Sequence, residues 1–357
     1  MDKKLHIMRK KIVIAITVFF ILLVGIFAYK TGRTITVIGN SSDSFWEEAS
    51  SKFPDLPEPE ENRIDILIVG IRGYNGSGEW GRGEWLADTI ILASFNKENN
   101  QASLVSIPRD LYLEVPGHGK DKINAVYSTG ETENYGGGGL QLMKAVVSMI
   151  SGVYIDHAAS IDFVGFQKIV DHIGGIVIYR NTPFIEDKQW LYDGKEGKEY
   201  WRLGEHASTT ESGATTTESG WVFYVPAGSN VINSEDALYY SRSRLSSSDF
   251  DRMRRQQEVI SAIKSKALNL GVLANPVKIF NILDIIEKNV STDMTASDIK
   301  DLISIAKDAK IQDVKTEVLD SSEEGLLIED RINGMYVLLP KSGDYSEIQT
   351  LFRGVVE

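Results

Sequence analysis

The chain is 357 residues long, 42% hydrophobic and 25% charged, which is the balance of a folded globular protein with room for one or two domains. Its formal net charge of -12 excludes wholesale nucleic-acid binding, because neutralising a phosphate backbone needs a positive binding surface. There is no cysteine, so a disulfide framework, a thiolate nucleophile and Cys-ligated zinc are excluded too.

Ile12 to Tyr29 is eighteen residues without a charge, about 27 Å of helix against a hydrocarbon core of about 30 Å. Lys3, Lys4, Arg9, Lys10 and Lys11 precede it, and only Lys30 and Arg33 follow closely. The positive-inside rule places residues 1–11 in the cytoplasm, 12–29 across the membrane and the remainder outside. A cleaved signal peptide fits less well, since its apolar core is usually shorter and no Ala-x-Ala-like site follows. Residues 30–61 end in Pro54, Pro57 and Pro59 among acidic neighbours, the composition of a stiff, solvated stalk.

The folded part begins near residue 62. Ile64–Val69, Thr89–Phe95 and Ala102–Ile107 are apolar runs of strand length. Leu140–Ile150 and Asp162–Ile173 carry apolar residues at helical spacing, and the second stops at Gly174-Gly175 before a strand at Ile176–Tyr179. The Ser/Thr/Gly-rich segment 194–220 predicts a mobile surface loop. Gln256–Leu270 predicts an amphipathic helix, with further helices over 278–289 and 296–308, then strands at Val314–Leu319 and Met335–Leu339. Strands interleaved with helices define an α/β layered domain, with no strong cue for a boundary inside 62–357.

Several chemical-looking motifs fail their context tests. Gly76-Ser-Gly78-Glu-Trp-Gly81 follows a strand but leads into another strand, whereas a dinucleotide fingerprint needs a helix. Ser261-Ala-Ile-Lys264 lacks the companion motifs of a serine acyl-enzyme. The histidines are scattered without metal-ligand spacing. The glycines 136–139 read as a loop needing positive φ rather than an anion site.

Five arginines, however, fall within fourteen residues: Arg242, Arg244, Arg252, Arg254 and Arg255. In an acidic protein such a surplus of guanidinium asks for an anion, and the planar fork suits phosphate. With Asp251 onward helical, Arg252, Arg255 and Gln256 share one face and Arg254 points away. Arg242 and Arg244 flank one residue, so extended chain would project both on one side. Neutralisation by Asp249, Asp251 and Glu258 is the competing explanation. A second patch, Ser106-Ile-Pro108-Arg109-Asp110, ends a buried strand, where α/β sheets bind ligands. Asp88, at a strand start, is a candidate for holding a divalent cation, and Lys122-Ile-Asn124 opens a helical stretch.

Asp88-Thr-Ile-Ile-Leu, Ser106-Ile-Pro-Arg-Asp110, Lys122-Ile-Asn124, Ile161-Asp-Phe163 with Gly174-Gly-Ile, Ser241-Arg242-Ser-Arg244 and Asp249-x-x-Arg252-x-x-Arg255-Gln256 stand in this order. Together they resemble the successive signatures of the LytR-CpsA-Psr family, a resemblance that spans about 62–270 as the domain core and implies its completion by 271–357. The resemblance implies an α/β/α sandwich with a mixed central sheet, preceded by one transmembrane helix. It implies a phosphotransferase that moves a glycopolymer from a polyprenyl diphosphate carrier onto peptidoglycan through a phosphodiester, at the outer face of the plasma membrane. Carried over, Arg109, Arg242, Arg244, Arg252 and Arg255, with Lys122 and Gln256, bind the diphosphate; Arg109, Arg244, Arg252 and Asp88 are the catalytic set; and Asp88 binds Mg²⁺. Alternatives sharing the pocket are a non-catalytic polyprenyl-phosphate binder and a hydrolase of the same lipid. One departure stands out: the family's Leu-Gly-x-Asp pattern reads Val69-Gly70-Ile71-Arg72 here. Either Glu79 or Glu84 replaces the lost carboxylate, or the metal is held more weakly, or Arg72 contacts phosphate. On this reading Arg244→Ala and Arg252→Ala abolish transfer with the fold intact, and Arg254→Ala is milder.

Overall fold

The computed structural model describes residues 56–73, 83–134, 137–191, 194–209, 215–269, 289–295, 298 and 314–357. The expected membrane segment 12–29 and most of the stalk lie outside these residues, as do the helices expected over 278–289 and 296–308, apart from Asn289 and Asp298. Among the described residues no helix is long and apolar enough to cross a membrane.

Strand β1 (Arg63–Ile71) is buried at nearly every position, as a central strand covered on both faces must be. It pairs antiparallel with β2 (Ala87–Asn96) and parallel with β6 (His157–Asp162). Strand β2 pairs antiparallel with β3 (Gln101–Ser106), and β3 pairs parallel with β13 (Val314–Val318). With β12 (Val290–Thr292) against β6, the order is β12-β6-β1-β2-β3-β13, a mixed sheet as the resemblance implies. The carboxyl ends of β1, β3, β6 and β13 therefore gather at one edge, with the start of β2 among them.

The described chain separates into two compact units, although the sequence offers no strong cue for a boundary. One holds the residues up to Ile169 together with Ala267–Glu357, and the other holds Val170–Lys266. In the first, the hairpin β4 (Tyr112–Val115) and β5 (Gly119–Lys122) leads into helices α1 (Ile123–Glu133) and α2 (Gly138–Ser151). A Cβ at Gly130 would lie 2.2 Å from the Gly138 carbonyl oxygen, and one at Gly139 would lie 2.8 Å from that of Tyr127. Gly138 and Gly139 thus serve close helix packing inside α2 rather than the positive-φ loop expected of them. Helix α3 (Phe163–His172) follows β6, and the unit ends with the hairpin β14 (Leu327–Ile332) and β15 (Met335–Pro340) and helix α6 (Ser346–Gly354).

The second unit contains the ribbon β7 (Ile176–Arg180) with β11 (Gly228–Ile232) and the sheet β8 (Phe184–Leu191), β10 (Thr215–Val225) and β9 (Trp201–Thr209). The mobile loop expected over 194–220 is corrected here: β9 and β10 pair in register from Thr209↔Thr215 to Trp201↔Phe223. Threonine is β-branched and favours strands, and the Trp201 and Phe223 rings, 5.1 Å apart and buried, anchor the register. Helices α4 (Ser234–Arg242) and α5 (Asp249–Asn269) complete the unit.

Beside β1, Asp156 accepts the Asp65 amide at 2.7 Å. Burial, with the nearby Asp65 carboxylate, pushes its pKa up to about 6 from an ordinary 3.8. The native state then holds a proton that the unfolded chain has already released, so stability falls as pH rises from about 4 to about 6. Asp156→Asn removes that ~2–3 kcal/mol penalty. We expect a higher Tm for the variant at neutral pH and a flatter Tm–pH profile in that window, both read by calorimetry.

Candidate functional site

In the first unit the sheet edge assembles a string of alternating charges. Gly70 pairs with Thr89 and Ile71 with Ala87, so Asp88 is the extra residue of a bulge and its side chain is re-aimed at the rim. A Cβ at Gly70 would meet the Thr89 Cβ at 2.9 Å, which explains the glycine. Arg72, just past β1, donates from Nε to Asp88 Oδ2 at 2.9 Å, and Arg109 donates from Nη1 to Asp88 Oδ1 at 2.6 Å. Burial opposes ionisation of Asp88, but the hydrogen bond from Arg72 and the charge of Arg109 prevail and hold its carboxyl below the usual range. Arg109 lies 3.7 Å from Asp110, whose other oxygen accepts from Lys122 Nζ at 2.6 Å.

Local backbone fixes this arrangement. Pro108 ends β3, Leu111 N donates to the Pro108 carbonyl at 3.1 Å, and Asn124 N donates to the Arg109 carbonyl at 3.2 Å. Lys122 is the N-cap residue of α1 and also pairs with Tyr112 in the β4–β5 hairpin. Asp88, Arg109 and Lys122 are thereby brought together through Arg109 and Asp110. Asp110 links Arg109 to Lys122, a role that its adjacency to Arg109 in the sequence signals.

The donor set around Asp88 does not suit a divalent cation. Both carboxylate oxygens accept from guanidinium groups, and among the described residues no three His, Asp or Glu side chains converge to hold an ion. Glu84 is buried with Oε2 lacking a hydrogen-bond partner, yet it joins no such group, and Glu79 lies outside the described residues.

In the second unit the arginines divide by environment. The extended chain expected for Arg242 and Arg244 is corrected: Arg242 is the last residue of α4, Ser243 caps the helix and Arg244 follows. Asn233 begins this helix by accepting the Asp236 amide at 2.9 Å, which outweighs the local run of serine and arginine. Arg242 and Arg244 are exposed, and among the described residues no carboxylate pairs with Arg244.

Helix α5 keeps the expected phase, with Arg252, Arg255 and Gln256 buried and Arg254 exposed. Arg252, only 3% exposed, makes a two-pronged ion pair with Asp249 at 2.8 and 3.0 Å. The expectation that Arg252→Ala spares the fold is corrected accordingly, because removing a buried partner strands Asp249. Arg255 donates from Nε to the Tyr240 carbonyl at 3.1 Å, and from Nη2 to the Ser243 carbonyl and to Ser247 Oγ. Its guanidinium also lies 4.6 Å from the Phe184 ring centroid. Gln256 Nε2 donates to the Ser241 carbonyl at 3.3 Å. Both side chains therefore secure the chain that carries Arg242 and Arg244. Arg254 bridges exposed Asp251 at 3.1 Å. We expect Arg254→Ala to change stability by less than ~0.5 kcal/mol, with transfer near wild type, measured by thermal unfolding beside an activity assay.

Cationic side chains held at the carboxyl edge of a mixed sheet describe an α/β protein with basic groups where such sheets bind ligands. The chain belongs to the LytR_cpsA_psr family, which matches residues 34–353. Its relatives include the polyisoprenyl-teichoic acid–peptidoglycan teichoic acid transferase TagU of Bacillus licheniformis, 27% identical over 95% of this chain and 94% of that protein. TagU of Enterococcus faecalis is 28% identical over 74% of this chain and 77% of its own. Among solved structures, TagT bound to LIIa-WTA shares the fold at a TM-score of 0.56 and 21% identity, covering 84% of this chain and 92% of that one. Bacillus subtilis TagV does so at 0.55 and 21%, covering 83% and 98%.

Proposed function

We propose that the chain is a transferase that moves a glycopolymer from a polyprenyl diphosphate carrier onto peptidoglycan. The observation that carries this reading is the cationic edge of Arg72, Arg109 and Lys122 in a protein of net charge -12. The relatives' names, which specify teichoic acid transfer from a polyisoprenyl carrier to peptidoglycan, support it at the level of the reaction. An acceptor hydroxyl oxygen forms the new P–O bond to the glycan-linked phosphorus. The bridging P–O bond breaks, polyprenyl monophosphate leaves, and the hydroxyl proton passes to solvent or to the departing phosphate. Chemistry of this kind asks the protein mainly for positioning and charge neutralisation.

In this reading Arg109 and Lys122 contact the diphosphate; in the second unit the exposed Arg242 and Arg244 are offered to the phosphorylated donor, and Arg255 and Gln256 hold their chain in place. Residues 12–29 hold the protein in the plasma membrane with the catalytic part outside, where donor lipid and acceptor wall are both found. The decisive experiment incubates the full chain with a lipid-diphosphate glycan and a peptidoglycan oligomer. Ligated product supports transfer. Free phosphorylated glycan indicates a hydrolase and unchanged lipid a passive binder, and either outcome refutes the proposal.

A further inference from the structure

A carboxylate that serves a metal ion must turn a lone pair toward it, and Asp88 turns its oxygens toward two guanidinium groups. A divalent ion placed there would face two fixed positive charges at close range, with Asp88 already engaged by both and Asp110 shared between Arg109 and Lys122. Arg72 is built to stay. Its carbonyl accepts from the Phe163 amide at 3.4 Å, and the neighbouring Gly73 amide donates to the Glu84 carbonyl at 3.0 Å. Gly73 adopts a φ of +76° with Asp162 packed against it, so the backbone at the end of β1 is closely specified. The Arg72 side chain is tethered to Asp88 through Nε, yet it is 43% exposed where that of Asp88 is 11%. One end of the fork is thus anchored while the rest remains accessible to an incoming anion.

We propose that Arg72 is the resident cation of the diphosphate site, supplying from the protein itself the charge neutralisation that a divalent ion would bring, so that this chain binds polyprenyl diphosphate without metal. The inference rests on the diphosphate reading given above. A guanidinium stays charged at any physiological pH, and its planar donors match two phosphoryl oxygens. It carries half the charge of magnesium, but it needs neither recruitment nor the stripping of a tightly held water shell. Arg109 on the opposite oxygen of Asp88 holds that carboxylate in place, so that Asp88 positions Arg72 rather than a metal.

The test is calorimetric binding of geranylgeranyl diphosphate to the full chain in detergent, in EDTA and in excess MgCl₂, with MgCl₂ alone titrated separately. Wild-type affinities are expected to agree within about twofold between the two buffers. MgCl₂ alone is expected to give no saturable heat. Arg72→Ala should lower affinity about tenfold in both buffers, and Arg72→Lys should recover part of it. Arg72→Asp, which sets a second carboxylate beside Asp88, should make binding magnesium-dependent. A wild-type affinity that drops tenfold or more in EDTA, or saturable magnesium binding by the wild type, overturns the inference and leaves the transferase reading standing. Wild-type protein that binds no diphosphate in either buffer overturns both.

Discussion

Arg244→Ala is expected to cut glycan transfer by about 10²–10³ while leaving the thermal unfolding midpoint unchanged. Arg244 is exposed, follows the cap of α4 and has no carboxylate partner among the described residues. Its backbone is nonetheless fixed, because the carbonyl accepts from the Ser247 amide at 3.2 Å. A guanidinium presented in this way adds little to folding, so its truncation should register in chemistry alone. The check is a transfer assay with lipid-diphosphate glycan run beside scanning calorimetry. An unimpaired rate in the variant would remove Arg244 from the site. A loss of rate matched by a loss of Tm would make its role structural.

Arg255→Ala should have the opposite signature, a loss of ~3–5 kcal/mol in stability. The buried guanidinium satisfies two backbone carbonyls and a serine hydroxyl and lies over Phe184, and truncation strands those acceptors in a dry environment. Burial already works against its charged form, which the neighbouring acidic groups counter only in part, so its pKa lies below the usual arginine range. For a chain of this size the Tm should fall by about 10 °C. Arg255→Lys should rescue only part of this, since one ammonium cannot reproduce a fork that reaches Tyr240 and Ser243 together. A Tm within a degree or so of wild type would show that the α4–α5 connection holds by other means.

What the sequence made legible follows the physics of each segment. Strands β1, β2 and β3 are continuous apolar runs because they lie inside a sheet, and burial imposes that composition directly. The phase of α5 was equally readable, since the 3.6-residue period separates Arg252 and Arg255 from Arg254 whatever they touch. The state of Arg242 was not. Local serine and arginine content suggests extended chain, and only the Asn233 cap at the head of the helix betrays α4. Strands β9 and β10 were hidden because a serine- and threonine-rich sequence reads the same in a loop and in a hairpin until Trp201 meets Phe223. The ion pair between Arg72 and Asp88 crosses sixteen positions through a glycine-rich stretch, and no periodicity reports it. The substitution at Arg72 was visible in the letters, whereas its partner was not.

The odd residue in β2 has a consequence for how this protein can change. Side chains on a pleated ribbon alternate between faces, so one supernumerary position inverts that parity for everything on its far side. Lengthening or shortening the β1–β2 connection leaves the parity untouched, and that connection is free to drift. Excising Ala87 would instead set the aspartate opposite buried Ile71 and turn it into the hydrocarbon interior of the sheet. Tolerance to length variation should therefore stop abruptly at Ala87.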